Sequence, residues 1–259
     1  MEFTDQLGRT INLSKPPKRI VSLVPSQTEL LVDLGLEQEL VGITKFCIHP
    51  RHLLSNKKLV GGTKQLKLDV IAQLNPDLIL ANKEENKEED ILELSQSFPV
   101  WVTDINTVES GLAMIQQVGQ LTGKTGEAGE LVSKIARSME QLPGTTNHSS
   151  VYLIWDKPMM GAGNETYIND CMRRAGFRNS LSHLRRYPEL SLEAIHDLKP
   201  DFIFLSSEPY PFGIKHVRQY QERFKQSKVV LVDGEMFSWY GSRMLKAANY
   251  FKKLREEIL

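Results

Sequence analysis

The chain has 259 residues, room for one large α/β unit or for two lobes, and 41% hydrophobic against 25% charged residues excludes disordered and fibrous classes. Thirty-two basic residues offset thirty-two acidic ones, so the electrostatic footprint of a nucleic-acid binder is missing and no nucleic-acid partner is expected. Two cysteines, Cys47 and Cys171, make neither a disulfide framework nor a structural zinc site.

The opening stretch MEFTDQLGRT has no basic region followed by an apolar core, and no segment approaches the ~20 apolar residues of a membrane helix. It reads either as a cytoplasmic chain or as a mature one whose leader has been removed, without membrane insertion. An apolar strand over Arg19–Val24 then runs to Pro25 and into a helix ending near Gly35. The segment LDVIAQLNPDLILA (68–81) predicts a short helix, with Leu68, Ile71 and Leu74 on one face, a Pro-Asp turn at Pro76, and a buried strand. The mixed-sign run NKEENKEED (82–90) opens a solvated helix, and SFPVWVTD (97–104) is a further strand ending at Asp104. Gly123 to Leu142 carries Leu131, Ile135 and Met139 at helical spacing, which predicts one long connecting helix. Such a connector is stiff where a Gly/Ser linker is loose, so a single crossing with nearly fixed geometry between the lobes is expected.

The second half repeats the first. Val151–Trp155 runs to Pro158 and a helix ending near Gly176; LEAIHDLKPDFIFL (192–205) matches 68–81 at an offset of 124 positions; SKVVLVDG (227–234) matches 97–104. Strands alternating with helices in both halves predict an α/β chain of two lobes, each a mainly parallel sheet flanked by helices, joined by one long backbone helix. The expected division is 1–121 for the N-terminal lobe, 122–142 for the connector and 143–259 for the C-terminal lobe. Ligands are expected at the carboxyl ends of the strands, in the cleft between the lobes.

Three local patterns bear on chemistry. Cys47, His49 and His52 form C-x-H-x-x-H, so a thiolate and imidazoles could face one metal, although a buried cysteine and a backbone-bonded histidine explain the same residues. VGQLTGKT (118–125) has three residues between its glycines where a phosphate loop needs four, and reads as helix punctuation. No nucleophile elbow or His-Glu-x-x-His motif is present, the sequence implies closeness for no pair of carboxylates, and no catalytic residue or catalytic cofactor is assigned.

Taken together, DQLGRTINL with PPKRIVSLVPSQTELLVDLG (16–35), GGTKQLKLDVIAQLNPDLILANKEEN (61–86), RYPELSLEAIHDLKPDFIFL (186–205) and DGEMFSWYGSR (233–243) resemble the iron and vitamin B12 class of ABC-importer substrate-binding proteins over almost the whole chain. The resemblance implies a non-catalytic, monomeric, periplasmic or otherwise extracytoplasmic receptor. It would hold cobalamin or a related corrinoid and deliver it to an ABC permease and its ATPase. Haem, a ferric siderophore, or a cytoplasmic metal-dependent enzyme or cofactor carrier on the same scaffold are the alternatives. Carried over residue by residue, the family's pocket aromatic after the second strand falls on Phe46. Lys64 and Asn82 stand where the vitamin B12 members place tryptophans, Met160 stands at another aromatic position, and Tyr187 replaces a tryptophan. Trp239 and Tyr240 are expected to make good the lost walls, since aromatic faces and methionine suit a broad macrocycle. Cys47 and His49 are added at the ligand from their loop, with His49 as the metal-reaching group. Lys64 and Arg243 are candidates for anionic ligand groups. The family's permease-docking carboxylates match Asp69 and Glu193, which the internal repeat independently makes equivalent; acids in a first turn also favour the helix dipole without any partner.

Overall fold

The structure is a computed structural model describing residues 1–259. In chain order the strands are β1 (Glu2–Thr4), β2 (Thr10–Asn12), β3 (Ile20–Ser22), β4 (Leu40–Ile43), β5 (Lys58–Leu59), β6 (Gly61–Gly62), β7 (Gln65–Leu66), β8 (Leu78–Asn82), β9 (Val100–Thr103), β10 (Ser149–Asp156), β11 (Met159–Gly161), β12 (Arg178–Asn179), β13 (Phe202–Ser206) and β14 (Lys228–Val232). The helices are α1 (Pro25–Asp33), α2 (Leu53–Asn56), α3 (Leu68–Gln73), α4 (Glu88–Ser95), α5 (Val108–Thr122), α6 (Thr125–Glu140), α7 (Tyr167–Arg174), α8 (Leu192–Leu198), α9 (Ile214–Arg223), α10 (Gly234–Ser238) and α11 (Met244–Ile258).

Two compact units result. The first holds residues 1–105, 109–136 and 240–243; the second holds 106–108, 137–239 and 244–259. One passage between them falls inside α6, between Ala136 and Arg137, and residues 106–108 group with the second unit ahead of it. The chain does not cross once only: Tyr240–Arg243, expected in the C-terminal lobe, group with the first unit.

The first unit is built on a parallel sheet ordered β5-β4-β3-β8-β9. Its central strands are buried on both faces, which is why LILAN reads as a continuous apolar run rather than an alternating one. Val21, Leu23, Ile71, Ile79, Ile91 and Val102 pack into its core. The second unit carries β11-β10-β13-β14, parallel except for β11, with β12 also paired to β10. Its core joins Val151, Leu153, Ile195, Ile203, Leu205, Phe212 and Tyr220.

The repeat has a structural cause. Asn75 and Lys199, matching positions of the two copies, both adopt φ 44°, the left-handed conformation that ends a helix, and a proline follows each. Asp77 and Asp201 match likewise. Asp77 accepts hydrogen bonds from the Lys18 and Arg19 amides at 2.8 and 2.7 Å, and Asp201 accepts from the Ser149 amide and hydroxyl at 2.7 and 2.8 Å. Each carboxylate thus fixes the entry to the first strand of its own sheet. The Ser149 amide and hydroxyl hold the Asp201 carboxyl below its ordinary range.

The expected connecting segment holds one helix, α6, preceded in the chain by α5. Gly123, at φ +73°, ends α5, and α6 follows at Thr125 over about 24 Å of axis. VGQLTGKT is accordingly helix punctuation. Gly119 is required there because a Cβ would lie 2.4 Å from Ala128 Cβ, so α5 and α6 pack at close range.

Candidate functional site

At the carboxyl ends of β3, β8 and β9 the first unit is laced by buried polar side chains. Gln27 Nε2 donates to Ala81 O (3.2 Å) and Thr103 Oγ1 (2.7 Å), while Thr28 Oγ1 donates to Ser22 Oγ at 2.8 Å. Asn82 is 2% exposed and fully engaged: its Nδ2 donates to Thr103 O and Oγ1, and its Oδ1 accepts from the Glu84 and Glu85 amides. It shapes the loop after β8, with its side chain spent on the fold at the position where the resemblance places a pocket wall. Asn86 completes the lacing by donating to Leu23 O and Thr63 O.

Above this network stand the groups that solvent reaches. Phe46 is 49% exposed, with Lys45 Nζ 5.1 Å from its ring centroid; a Cβ on Gly62 would come within 3.0 Å of the ring, so glycine there gives Phe46 its seat. Lys64 is exposed, but its ammonium donates to Glu84 O (2.5 Å) and Asn86 O (3.3 Å) and so ties two loops together. Lys83 pairs with Asp104 at 2.7 Å.

The Cys47, His49 and His52 pattern does not assemble into a metal centre. Cys47 is 0% exposed, its Sγ lies 3.0 Å from Thr28 Oγ1 and 3.2 Å from Thr44 Oγ1, and burial pushes its thiol up. The thiol therefore faces the interior of the unit and not a ligand, which corrects the expected Cys47 contact. His52 Nε2 pairs with Glu37 at 2.8 Å on the surface, and His49 is half-buried. Nowhere do three or more His, Cys, Asp or Glu side chains gather to hold a metal ion.

Tyr240 and Arg243 also belong to the first unit. Arg243 grips Glu29 with two bonds, Nε to Oε2 at 2.7 Å and Nη2 to Oε1 at 2.8 Å, and both side chains are nearly dry. Arg243 is consequently committed inside the fold, against its expected service to an anionic ligand. Tyr240 is 6% exposed with its hydroxyl toward Thr103 and Ser26, and burial raises its phenol. Its expected role as a ligand wall is corrected to that of an interior side chain.

In the second unit Met160 is half-buried on β11, opposite Trp155 of β10, and Tyr187 is half-buried with Arg186 Cζ 5.9 Å from its ring centroid. Trp239 is 8% exposed; its Nε1 donates to Glu208 Oε1 at 2.8 Å, and Ser238 Oγ donates to the same oxygen at 2.6 Å. Burial raises the Glu208 carboxyl, and the charges of Glu235 and Asp233 add to the rise. Two aromatics that sequence reading passed over stand at these strand ends: Trp155, 38% exposed, and Tyr210, with ring centroids 5.5 Å apart. Their signal is in the sequence, because Trp155 closes the apolar run Val151–Trp155 and Tyr210 lies in the loop four residues after β13.

Asp69 and Glu193 occupy the second positions of α3 and α8, and both are exposed. The Glu193 carboxyl is held below its ordinary range by backbone hydrogen bonding and by Ser191, so it is ionised at neutral pH.

A family model described as "Periplasmic binding protein" matches residues 20–230. An uncharacterized ABC transporter substrate-binding lipoprotein of Bacillus subtilis (strain 168) is 23% identical over 259 residues, covering 95% of this chain and 82% of its own. A vitamin B12-binding protein of Vibrio campbellii is 25% identical over 197 residues, covering 74% of this chain and 71% of its own. Among solved structures, the periplasmic vitamin B12-binding protein of Vibrio cholerae matches with a TM-score of 0.80 at 20% identity, covering 93% of this chain and 98% of its own. At that identity the likeness establishes the fold.

Proposed function

The chain belongs to the periplasmic binding protein family, and from that premise we propose that it binds cobalamin or a related corrinoid and delivers it to the permease of an ABC importer. Members of this family are binding components of transport, not catalysts. The observation that carries the corrinoid reading is the relationship to vitamin B12-binding protein across 74% of the chain. An exposed aromatic at a strand end, Phe46, supports it, because a ring face suits the broad, largely apolar face of a corrin. Met160 and Tyr187 are further contacts in the second unit, both half-buried rather than consumed by the core. Trp239, held by Glu208, serves as a more enclosed one.

His49 is the group proposed to reach the metal of the chelate, as an imidazole partly open to solvent in the loop after β4. Its replacement by alanine then weakens binding and changes the visible spectrum of the bound corrinoid; an unchanged spectrum and affinity would remove it from the site. Asp69 and Glu193 are the proposed permease contacts, and the receptor is proposed to work outside the cytoplasm as a monomer with that permease and its ATPase. No helix is long and apolar enough to cross a membrane.

Calorimetric titration of the purified chain with cyanocobalamin, haemin and a ferric hydroxamate tests the reading. Saturable one-to-one binding of cyanocobalamin at micromolar or tighter affinity is expected. Binding of haemin or the siderophore alone would transfer the cargo to that chelate, and silence with all three would overturn the reading.

A further inference from the structure

A partly exposed aromatic pair lies at the carboxyl ends of β10 and β13. Trp155 is the penultimate residue of β10, and Tyr210 lies in the loop that follows β13. The rings meet edge to face, with centroids 5.5 Å apart and planes at 65°. Neither ring is loose. Trp155 Nε1 donates to Lys157 O at 3.1 Å, the Tyr210 amide donates to Ile154 O at 3.3 Å, and the Tyr210 hydroxyl lies 3.4 Å from His216 Nε2. Behind Tyr210 the ring contacts continue inward to Phe212 at 4.7 Å and from there to Tyr220 at 6.1 Å, both of them buried.

Core packing accounts for Phe212 and Tyr220, which are 4% and 3% exposed, but not for an indole left 38% exposed. A large apolar ring that is held in one orientation, and yet withheld from the core, is a preorganised surface for another apolar face. Its place at the carboxyl ends of parallel strands is where open α/β sheets receive small ligands. Met160 extends the surface, since β11 sets it opposite Trp155, and its flexible thioether adapts to an irregular edge.

We propose that Trp155 and Tyr210 form an aromatic corner that takes the flat conjugated ring of the cargo, with Met160 along its edge. The proposal rests on the reading of the chain as a chelate receptor and adds two contact residues that the family resemblance did not supply. It assigns the corner to the cargo and not to the transporter.

The test uses the full chain with cyanocobalamin and haemin as probes. Trp155→Ala is expected to weaken the bound chelate's Kd ten-fold or more with thermal unfolding unchanged, Trp155→Phe to recover most of the loss, and Tyr210→Ala to weaken it as much with a lower melting temperature, since Tyr210 also packs on the core. Ile214→Ala, at a 60% exposed residue outside the corner, is the control and leaves Kd unchanged. Wild-type chain labelled with 5-fluorotryptophan needs no destabilising variant: of its three tryptophan resonances, that of Trp155 shifts as chelate is added. Binding with an unmoved Trp155 resonance and unchanged alanine-variant affinities would overturn the corner and leave the receptor reading standing. Unchanged affinity with lost uptake in cells would make it a transporter contact, which also overturns the proposal. Failure of the wild type to bind either probe would overturn the receptor reading for these chelates, and the corner with it.

Discussion

Asp77 and Asp201 show how a two-letter motif earns its place. In a sequence each is only the residue after a turn proline; in the fold each accepts two hydrogen bonds from the segment leading into the neighbouring strand. Replacing either with alanine is expected to lower stability by about 1–3 kcal/mol, measured by urea unfolding, because the strand-start donors lose a charged acceptor. For Asp201 the folded carboxyl titrates below its unfolded value. Its contribution is therefore fully present above the unfolded pKa and disappears as pH falls through the folded one. Glu208 behaves oppositely, since its carboxyl is raised by burial. Between its ordinary and its raised pKa the folded state holds the extra proton, so stability falls as pH rises through that window. Glu208→Gln keeps an oxygen for Trp239 and Ser238 and removes the titration. A flatter pH profile of the melting temperature, and a higher value at neutral pH, are expected; a profile identical to wild type would assign the dependence elsewhere. Single residues are also what the sequence makes least legible. Asn82 and Tyr240 are ligand candidates by the family resemblance, Cys47 by its C-x-H-x-x-H loop and Arg243 by its charge. Nothing local reveals that Thr103, Glu29 and Thr28 had already engaged them.

At the scale of elements, the duplicated helix, turn and strand were legible because their signals are local: apolar spacing, a helix-ending left-handed residue and a proline. The α5 helix was not read, and the tail's return was illegible for a different reason. Arg243 and Glu29 are 214 positions apart, and no periodicity links them. Their pair anchors Tyr240–Arg243 onto α1 within the first unit, assisted by Gly241, whose φ of +85° lets the backbone pass close to Ser26 O. Arg243→Ala is expected to cost about 3–5 kcal/mol, since it strands a buried carboxylate. The double change Glu29→Ala with Arg243→Ala should cost less than the sum of the single ones, as a double-mutant cycle in urea would show. Strict additivity would mean that the two side chains contribute independently.

For the whole molecule, the two-lobed α/β class and the family were readable from four motifs in order, whereas the division of the chain was less so, because a four-residue segment near the end groups with the beginning. At this scale the proposed permease contacts are Asp69 and Glu193, matched by the repeat and each exposed in the first turn of its helix. Carboxylates so placed can steer a receptor onto a cationic surface, with an effect that weakens as salt rises. The decisive measurement is uptake of labelled cyanocobalamin by cells that retain their permease and ATPase, with this receptor supplied as wild type or as Asp69→Arg with Glu193→Arg, alongside the affinity of each purified receptor. The account predicts uptake with the wild type, loss of uptake with the double variant, and equal affinities. Undiminished uptake by the variant, or an affinity lost along with it, would contradict the account.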